Sequence, residues 1–322
     1  MNIAHITRRG FLQASTAAAV AGVVCGRPVG TLQAGTLSTA QRPIRLGAPV
    51  FNAPEDPDQL ALAHRKHGMR AAYCPAVVLE DKARIRALEE AFRRHDVVIA
   101  EVGRWKNLLA ADPAERAANL QYVIEGLALA DEIGALCCVD IAGSFSTESW
   151  FGPHPDNLSD TFFDASVENA RKIIDAVEPK RARFCFEMMG WALPDSPDSY
   201  AAMIKAVDRK EFGVHLDPAN LINSPTRFYH NTQLLNECFD KLGPHIVSCH
   251  AKDVSWQVEM QIHFQEVVLG TGKLDYRTYL RRLAALPHDV PLMIEHMQNE
   301  QQYDQSRQYA FDVGKEAGLA FE

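Results

Sequence analysis

The chain has 322 residues, 47% of them hydrophobic, and a formal net charge of -8 at pH 7. A chain of this length can bury a sizeable apolar core. Its acidic balance, with no run of lysines and arginines, argues against a nucleic-acid partner and is compatible with a small polar ligand.

The first 40 residues predict a targeting segment. Arg8 and Arg9 precede a Phe-Leu pair and an Ala/Val-rich run that is too short to act as a membrane anchor. Twin arginines are typical of a Tat signal, with an ordinary Sec signal as the alternative. We therefore expect a Tat signal peptide and short linker over residues 1–40 and one domain over residues 41–322. The protein would use the Tat export machinery, reach the periplasm or the exterior, and hold no membrane contact after cleavage.

Continuous apolar runs alternate with helical patterns along the rest of the chain. Such runs are typical of parallel strands that are buried on both faces. They predict strands over 44–50, 71–78, 97–103, 135–143, 182–188, 212–217, 245–250 and 291–296.

Amphipathic helices are predicted between these strands, and the clearest covers residues 112–134. Asp112 can cap it, Pro113 suits its first turn and Gly134 suits its end. Eight strand–helix units predict a (β/α)8 TIM barrel. A doubly wound open sheet is the alternative, but no GxGxxG turn follows the first strand. Other helical patterns lie near 81–94, 163–177, 197–208, 232–242, 275–285 and 302–317.

Four successive predicted strands end in residues that can bind a metal. They are Glu187, Asp217, His250 and Glu295. A TIM barrel gathers the carboxyl ends of its strands at one mouth. Charged side chains are rarely buried there unless they are paired or bound to a metal. Three carboxylates and one imidazole suit Mn²⁺, Mg²⁺ or Co²⁺, and less clearly Zn²⁺.

The segments around these residues resemble the sugar phosphate isomerase/epimerase family, which has a xylose isomerase-like TIM barrel. The resemblance covers most of residues 43–320. It implies one divalent metal held by the four strand-end residues, with Mn²⁺ favoured, and Glu187 and Glu295 as the catalytic pair. One glutamate would remove a proton next to a carbonyl, and the other would return it through a metal-stabilised enediolate. The segments are FEMMGW, GVHLDPANL, CHAKDV, HFQEVVLGTGKLDY and PLMIEH.

The chain departs from the ketohexose epimerases of that family at three positions. Those enzymes carry Glu, His and Arg where this chain has Leu193, Asn220 and Trp256. The differences argue against ketohexose 3-epimerisation itself. Trp191, Trp256 and His263 instead suggest a stacking surface for a sugar ring, with simple loop packing as the alternative.

Four further polar residues are candidate substrate contacts. Lys252 and Asp253 follow the predicted metal ligand of the seventh strand and would lie on the loop above it. His215 and Asn220 flank the aspartate of the sixth strand. We expect all four to contact the substrate or to support the metal ligands.

The sequence thus predicts a metal-dependent sugar isomerase or epimerase acting on a free sugar or keto-sugar. One alternative is a metal-dependent lyase on 3-keto-glycosides, which would use the same base. A hydrolase of the endonuclease IV-like group is a second, although the chain lacks the additional ligands and basic surface. A non-catalytic periplasmic sugar-binding protein is a third. The sequence is also compatible with a homo-oligomer.

Overall fold

The computed structural model describes residues 41–321 of the protein. The predicted Tat signal and its cleavage site lie outside the described residues. Among the described helices, none combines the length and apolar character that crossing a membrane requires.

Eight parallel strands close into a barrel, in the order β1-β10-β7-β6-β5-β4-β3-β2. This arrangement confirms the predicted (β/α)8 fold. The barrel strands are β1 (Leu46–Gly47), β2 (Ala71–Tyr73), β3 (Val98–Gly103), β4 (Cys137–Asp140), β5 (Arg183–Glu187), β6 (Phe212–Leu216), β7 (Ile246–Ala251) and β10 (Leu292–Ile294).

Helices surround the barrel, and their ends follow the capping signals of the sequence. Asp112 accepts a hydrogen bond from the Ala114 amide, and Gly134 takes the left-handed conformation that ends its helix. The helices are α1 (Pro57–Lys66), α2 (Lys82–Arg94), α3 (Pro113–Ile133), α4 (Asp160–Val177), α5 (Pro197–Val207), α6 (Pro225–Tyr229), α7 (Asn231–Leu242), α8 (Tyr276–Ala284) and α9 (Glu300–Glu316).

An antiparallel hairpin, which the sequence did not predict, is inserted between β7 and α8. Its strands are β8 (Asp253–Gln257) and β9 (His263–Val267). The second predicted strand is also shorter than expected, because β2 ends before Pro75, which has no N–H for a ladder. The hairpin adds structure above the mouth of the barrel.

Buried tyrosines of the outer helices fix the ends of the barrel strands. The Tyr279 hydroxyl donates to the carbonyl of His250 at 2.9 Å, and the Tyr276 hydroxyl donates to that of Lys252 at 2.8 Å. Tyr200 of α5 donates to the carbonyls of Phe186 and Gly213. Because these hydroxyls are buried with their partners, each one ties a helix to the strand that carries the site.

Candidate metal centre

The structure brings the four predicted metal ligands together at the carboxyl ends of four strands. Glu187 ends β5, Asp217 follows β6, His250 lies in β7 and Glu295 follows β10. One ligand atom from each lies within 4.8 Å of the others, and all four residues are buried. The His250 Nδ1 atom is 3.3 Å from Glu187 Oε1, 3.6 Å from Asp217 Oδ2 and 3.0 Å from Glu295 Oε1.

The oxygens of this cluster fit a divalent cation. Asp217 turns one oxygen to the backbone, where Oδ1 accepts hydrogen bonds from the amides of Ala219 and Asn220. Its Oδ2 atom and Glu295 Oε1 are buried, and their partners among the described residues are the Lys252 ammonium and His250 Nδ1. Buried carboxylate oxygens of this kind are costly unless a charge compensates them. Carboxylate oxygens are ligands that Mg²⁺ and Mn²⁺ prefer, and an imidazole nitrogen is a common ligand of divalent transition metals.

Glu101, in β3, sets the orientation of His250. Its Oε1 atom is 3.0 Å from His250 Nε2, and its Oε2 atom accepts from His215 Nε2 at 2.9 Å and from Ser248 Oγ at 2.8 Å. A carboxylate only accepts here, so the proton of His250 lies on Nε2 and leaves Nδ1 free for a metal. His215 is fully buried and does not line the cavity, so it supports this network.

Glu101 was not among the site residues predicted from the sequence. The signal was present, because a glutamate interrupts the apolar run of residues 97–103. A fully buried carboxylate in a barrel strand needs a partner.

The charges of the cluster shift the pKa values of its members. Burial alone would raise the pKa of Asp217, but the charges of Lys252 and His250 hold that pKa well below its usual range. Burial would lower the pKa of His250 and Lys252, yet the surrounding carboxylates raise both well above their ordinary values. Ionised Glu187 and Asp217 therefore lie beside two cations, and a metal that binds the Nδ1 atom of His250 would displace the extra proton of that imidazole.

Lys252 places its ammonium group among the same carboxylates. Its Nζ atom is 2.7 Å from Asp217 Oδ2 and 2.7 Å from Glu295 Oε1, and it donates to Asn220 Oδ1 at 2.8 Å. The two carboxylate contacts are ion pairs by distance, although only the bond to Asn220 has hydrogen-bond alignment. Lys252 is thus a tethered cation that shares its counter-charges with the candidate metal.

A cavity of about 720 Å³ opens above the cluster. That volume lies within the range of roughly 300–1,000 Å³ that is typical of small-molecule sites. Its polar lining consists of Glu101, Glu187, Asn220, Lys252, Glu266, Glu295 and His296. Much of the remaining lining is aromatic.

Trp105 was not predicted as a site residue either, because nothing in the sequence of the loop after β3 marks it. Its indole Nε1 donates to Glu187 Oε2 at 2.7 Å. The other oxygen of Glu187 accepts from Asn220 Nδ2 at 3.1 Å. Glu187 is therefore held by a donor on each oxygen, and its orientation is fixed.

The hairpin contributes Glu266 to the cavity. Its Oε2 atom is 2.8 Å from His296 Nδ1, and its Oε1 atom is 3.4 Å from Lys252 Nζ. His296 directly follows Glu295 and has a φ of 59°, which non-glycine residues adopt rarely. This conformation and the contact with Glu266 fix the imidazole at the cavity wall.

Among the predicted substrate contacts, Trp191, Asn220 and Lys252 line the cavity, whereas Asp253 does not. The Asp253 carboxylate accepts hydrogen bonds from the backbone amides of residues 254, 270, 272 and 274. A Cβ atom at Gly272 would lie 2.2 Å from Asp253 Oδ1, so only glycine fits this close approach. Asp253 therefore organises the turn before α8.

Trp256 and His263 also lie outside the cavity lining. The Trp256 ring packs against Phe228, Tyr229 and Phe264, with centroid distances of 5.8 to 6.1 Å. His263 is exposed on the hairpin, where its Nδ1 atom is 3.2 Å from a carboxylate oxygen of Glu259. Both residues were predicted as substrate contacts on a stretch expected to be a loop. In the structure this stretch is the hairpin, which places the two side chains outside the cavity lining.

Several solved structures share this fold. A magnesium complex of a xylose isomerase-like TIM barrel protein from Mycobacterium smegmatis is 21% identical, with a TM-score of 0.60 and coverage of 87% of this chain and 99% of that one. D-psicose 3-epimerase from Clostridium cellulolyticum H10 is 13% identical, with a TM-score of 0.61 and coverage of 86% and 100%. The 3-keto-D-glucoside 4-epimerase of E. coli is also 13% identical, with a TM-score of 0.59 and coverage of 84% and 99%.

No curated protein matches this sequence significantly. The model of one protein family, described as the xylose isomerase-like TIM barrel, matches residues 63–312. That range includes all four residues of the candidate metal centre. The chain therefore belongs to the xylose isomerase-like TIM barrel family.

Proposed function

We propose that the protein is a divalent-metal-dependent sugar isomerase or epimerase. The observation that carries the proposal is the set of four ligand atoms, from three carboxylates and one imidazole, within 4.8 Å of one another beneath a cavity of about 720 Å³. A buried ligand cluster that opens to a small-molecule cavity is suited to polarising a substrate oxygen.

Glu187 and Glu295 are the proposed acid/base pair. They come from β5 and the end of β10, and β6 and β7 lie between these strands in the barrel. A substrate above the cluster would therefore meet one carboxylate on each side. Burial would raise the pKa of Glu187, but the charge and hydrogen bond of His250 outweigh burial and lower that pKa. Glu187 is thus ionised at neutral pH, as a base that takes a proton from carbon must be.

A divalent cation held by these residues would draw electron density from the substrate carbonyl and make the neighbouring C–H more acidic. Proton removal leaves an enediolate with negative charge on oxygen. We assign the stabilisation of that charge to the Lys252 ammonium, which is 2.7 Å from Glu295 Oε1 and lines the cavity. Asn220 accepts a hydrogen bond from Lys252 through its Oδ1 atom and donates one to Glu187 through its Nδ2 atom. It therefore fixes the position of the Lys252 ammonium relative to the Glu187 carboxylate.

The structural neighbours support this class of reaction, since two of those described above are named as sugar epimerases and a third was solved with magnesium. We favour Mn²⁺, because a carboxylate-rich site with one imidazole suits it. Export through Tat to the periplasm, with metal loaded beforehand, remains part of the proposal.

An unphosphorylated substrate is part of the same proposal. Among the described residues that line the cavity, Lys252 and His296 are the basic ones, and there is no arginine. Phosphate sites commonly use arginine forks or helix N-termini. A free sugar or keto-sugar therefore suits the cavity better than a phosphate ester.

A lyase acting on 3-keto-glycosides is the second candidate. It would use the same base and the same cluster, and it would expel the group β to the carbonyl. The structural neighbour named for a 3-keto-glucoside keeps this candidate open.

The test is incubation of the Mn²⁺-loaded protein with ketoses, their phosphate esters and 3-keto-glucosides in D₂O, followed by NMR. We expect deuterium at one carbon next to the carbonyl of an unphosphorylated substrate, with its glycosidic bond intact. Loss of the aglycone would identify the lyase. Absence of both deuterium incorporation and aglycone loss from every sugar would contradict both. Glu187→Gln should lose the exchange, and Glu90→Gln, an exposed glutamate of α2, should keep it.

A further inference from the structure

We propose that three aromatic residues at the cavity wall bind a second, neutral sugar ring, so that the substrate is a glycoside or oligosaccharide. We call Trp150, Phe151 and Trp191 the aromatic shelf. The inference rests on the proposed function, because it assigns the reacting sugar to the floor of the same cavity.

The shelf is a continuous exposed apolar surface. Trp150, Phe151 and Trp191 are 44%, 39% and 40% exposed, and all three line the cavity that contains the metal cluster. The ring centroids of Trp150 and Phe151 are 4.9 Å apart, and those of Phe151 and Trp191 are 6.3 Å apart. Single exposed apolar residues are ordinary, but a contiguous group within a cavity marks a binding surface.

The orientation of the shelf is fixed by hydrogen bonds. The Trp191 indole Nε1 donates to the Phe151 carbonyl at 2.6 Å, which joins the loop after β5 to the loop after β4. The buried side chain of Asn157 accepts from the Phe145 amide and donates to the Gly152 carbonyl. The shelf is therefore held in place before any ligand arrives, which lowers the entropic cost of binding.

A second fixed contact joins the two loops at the base of the shelf. The Leu193 amide donates to the Asn157 carbonyl at 3.2 Å. The Asn157 side chain also donates to Ser144 Oγ at 3.0 Å, and both residues are fully buried. A buried polar network of this kind holds an exposed apolar surface in one geometry.

The position of the shelf determines which part of the substrate it meets. Trp191 follows Glu187 in the loop after β5, and both residues line the same cavity, so the shelf shares that cavity with one of the proposed catalytic carboxylates. The three side chains are neutral, and aromatic faces pack well on the apolar C–H patches of sugar rings. The cavity, at about 720 Å³, is larger than one monosaccharide needs. A ring linked through a glycosidic oxygen to the reacting sugar fits both facts.

Calorimetric titration with unreactive sugars tests the shelf without requiring catalysis. The probes are methyl β-glucoside as the single ring, with methyl β-cellobioside, methyl β-maltoside and trehalose as two-ring sugars. We expect at least one two-ring sugar to bind the wild type about tenfold more tightly than the single ring, a difference of about 1.4 kcal/mol, because its second ring gains contact with the aromatic faces of the shelf.

Trp150→Ala and Trp191→Ala should remove that preference and leave the affinity for methyl β-glucoside unchanged. Tyr229→Ala is the control, since Tyr229 is an exposed aromatic residue outside the cavity lining, and it should keep the preference. Equal affinity of the wild type for methyl β-glucoside and for every two-ring sugar would contradict the proposed role of the shelf in binding a second ring. So would an equal loss of affinity for one-ring and two-ring sugars in the tryptophan variants. Deuterium exchange into the 3-keto derivatives of these sugars, measured on the same protein samples, tests the proposed function independently of the shelf.

Discussion

At the scale of single residues, the site depends on which atom of each side chain faces the cavity. Glu101 accepts the Nε2 proton of His250, and Nδ1 consequently faces the carboxylates. Trp105 and Asn220 each donate to one oxygen of Glu187. The ligands are therefore oriented by a surrounding set of hydrogen bonds as well as by the barrel.

His250→Ala should lower metal occupancy sharply, because it removes the single nitrogen ligand from the cluster. Metal content after gel filtration, measured by mass spectrometry, checks this. His263→Ala is the matched control, since that exposed histidine lies outside the cavity lining. A His250→Ala protein that still holds one metal per chain would refute the assigned ligand set.

Glu101→Gln should weaken metal binding by about 10–100-fold while the protein stays folded, as is usual when a partner of a metal-bound histidine is replaced. The glutamine amide keeps the shape but presents a donor to groups that already donate, namely His250, His215 and Ser248. Competition against a fluorescent chelator measures the affinity. An unchanged affinity would show that Glu101 does not orient the ligand.

At the scale of secondary-structure elements, the helices fasten the strands that carry the site, and α1 offers a test of that packing. His64 of α1 is buried against Phe92 of α2, and its Nδ1 atom meets no hydrogen-bond partner within residues 41–321. Burial lowers the pKa of His64 from 6.5 to about 4. The native state therefore binds no proton at His64 between these values, whereas the unfolded state does.

The stability that neutral His64 contributes is present above about pH 6.5 and is lost as the pH falls towards 4. His64→Leu should make the loss of unfolding free energy between pH 7.5 and pH 5 smaller by about 2 kcal/mol, since each pKa unit corresponds to about 1.4 kcal/mol. Urea titrations of both proteins at the two pH values provide the comparison. An equal loss in the variant and the wild type would contradict this role of His64.

The barrel and its ligands could be predicted from the sequence, whereas the hairpin above them was overlooked. The continuous apolar strands and the capped helix at 112–134 predicted the barrel, and the strand ends predicted the four clustered ligands. Apolar residues occupy every second position from Val254 to Phe264, a pattern typical of strands, but this stretch was expected to be a loop, and Glu266 was therefore not expected in the cavity. Trp105 reaches the site through a contact distant in sequence that no local pattern reveals, whereas Glu101 was marked by its interruption of an apolar run.

At the scale of the whole molecule, four strands from distant parts of the chain converge on one cluster of charge. Lys252 lies 2.7 Å from oxygens of both Asp217 and Glu295, and it is almost fully buried. A bound divalent cation would compete with this ammonium group for the same oxygens. The stability of the fold and the loading of the metal should therefore be linked.

Lys252→Met should destabilise the chelator-treated protein by about 3–5 kcal/mol, because it leaves buried carboxylates without a counter-charge. Added Mn²⁺ should stabilise this variant more than the wild type, since the competing cation is gone. Unfolding titrations with and without metal measure both effects. Lys241→Met, which removes a surface pair with Asp198, is the control and should change little. Equal stabilisation of Lys252→Met and wild type by metal would contradict the competition.

The most direct measurement of the proposed chemistry is the rate at which solvent deuterium enters the carbon next to the substrate carbonyl. This rate is compared between the wild type and the Glu187→Gln and Glu295→Gln variants, at equal metal content. Glutamine keeps a ligand oxygen but cannot take a proton from carbon, so each variant should lose about 10²-fold or more in exchange rate. Substrate affinity should change far less. Exchange at near wild-type rates in both metal-loaded variants would contradict the assignment of these two carboxylates as the acid/base pair.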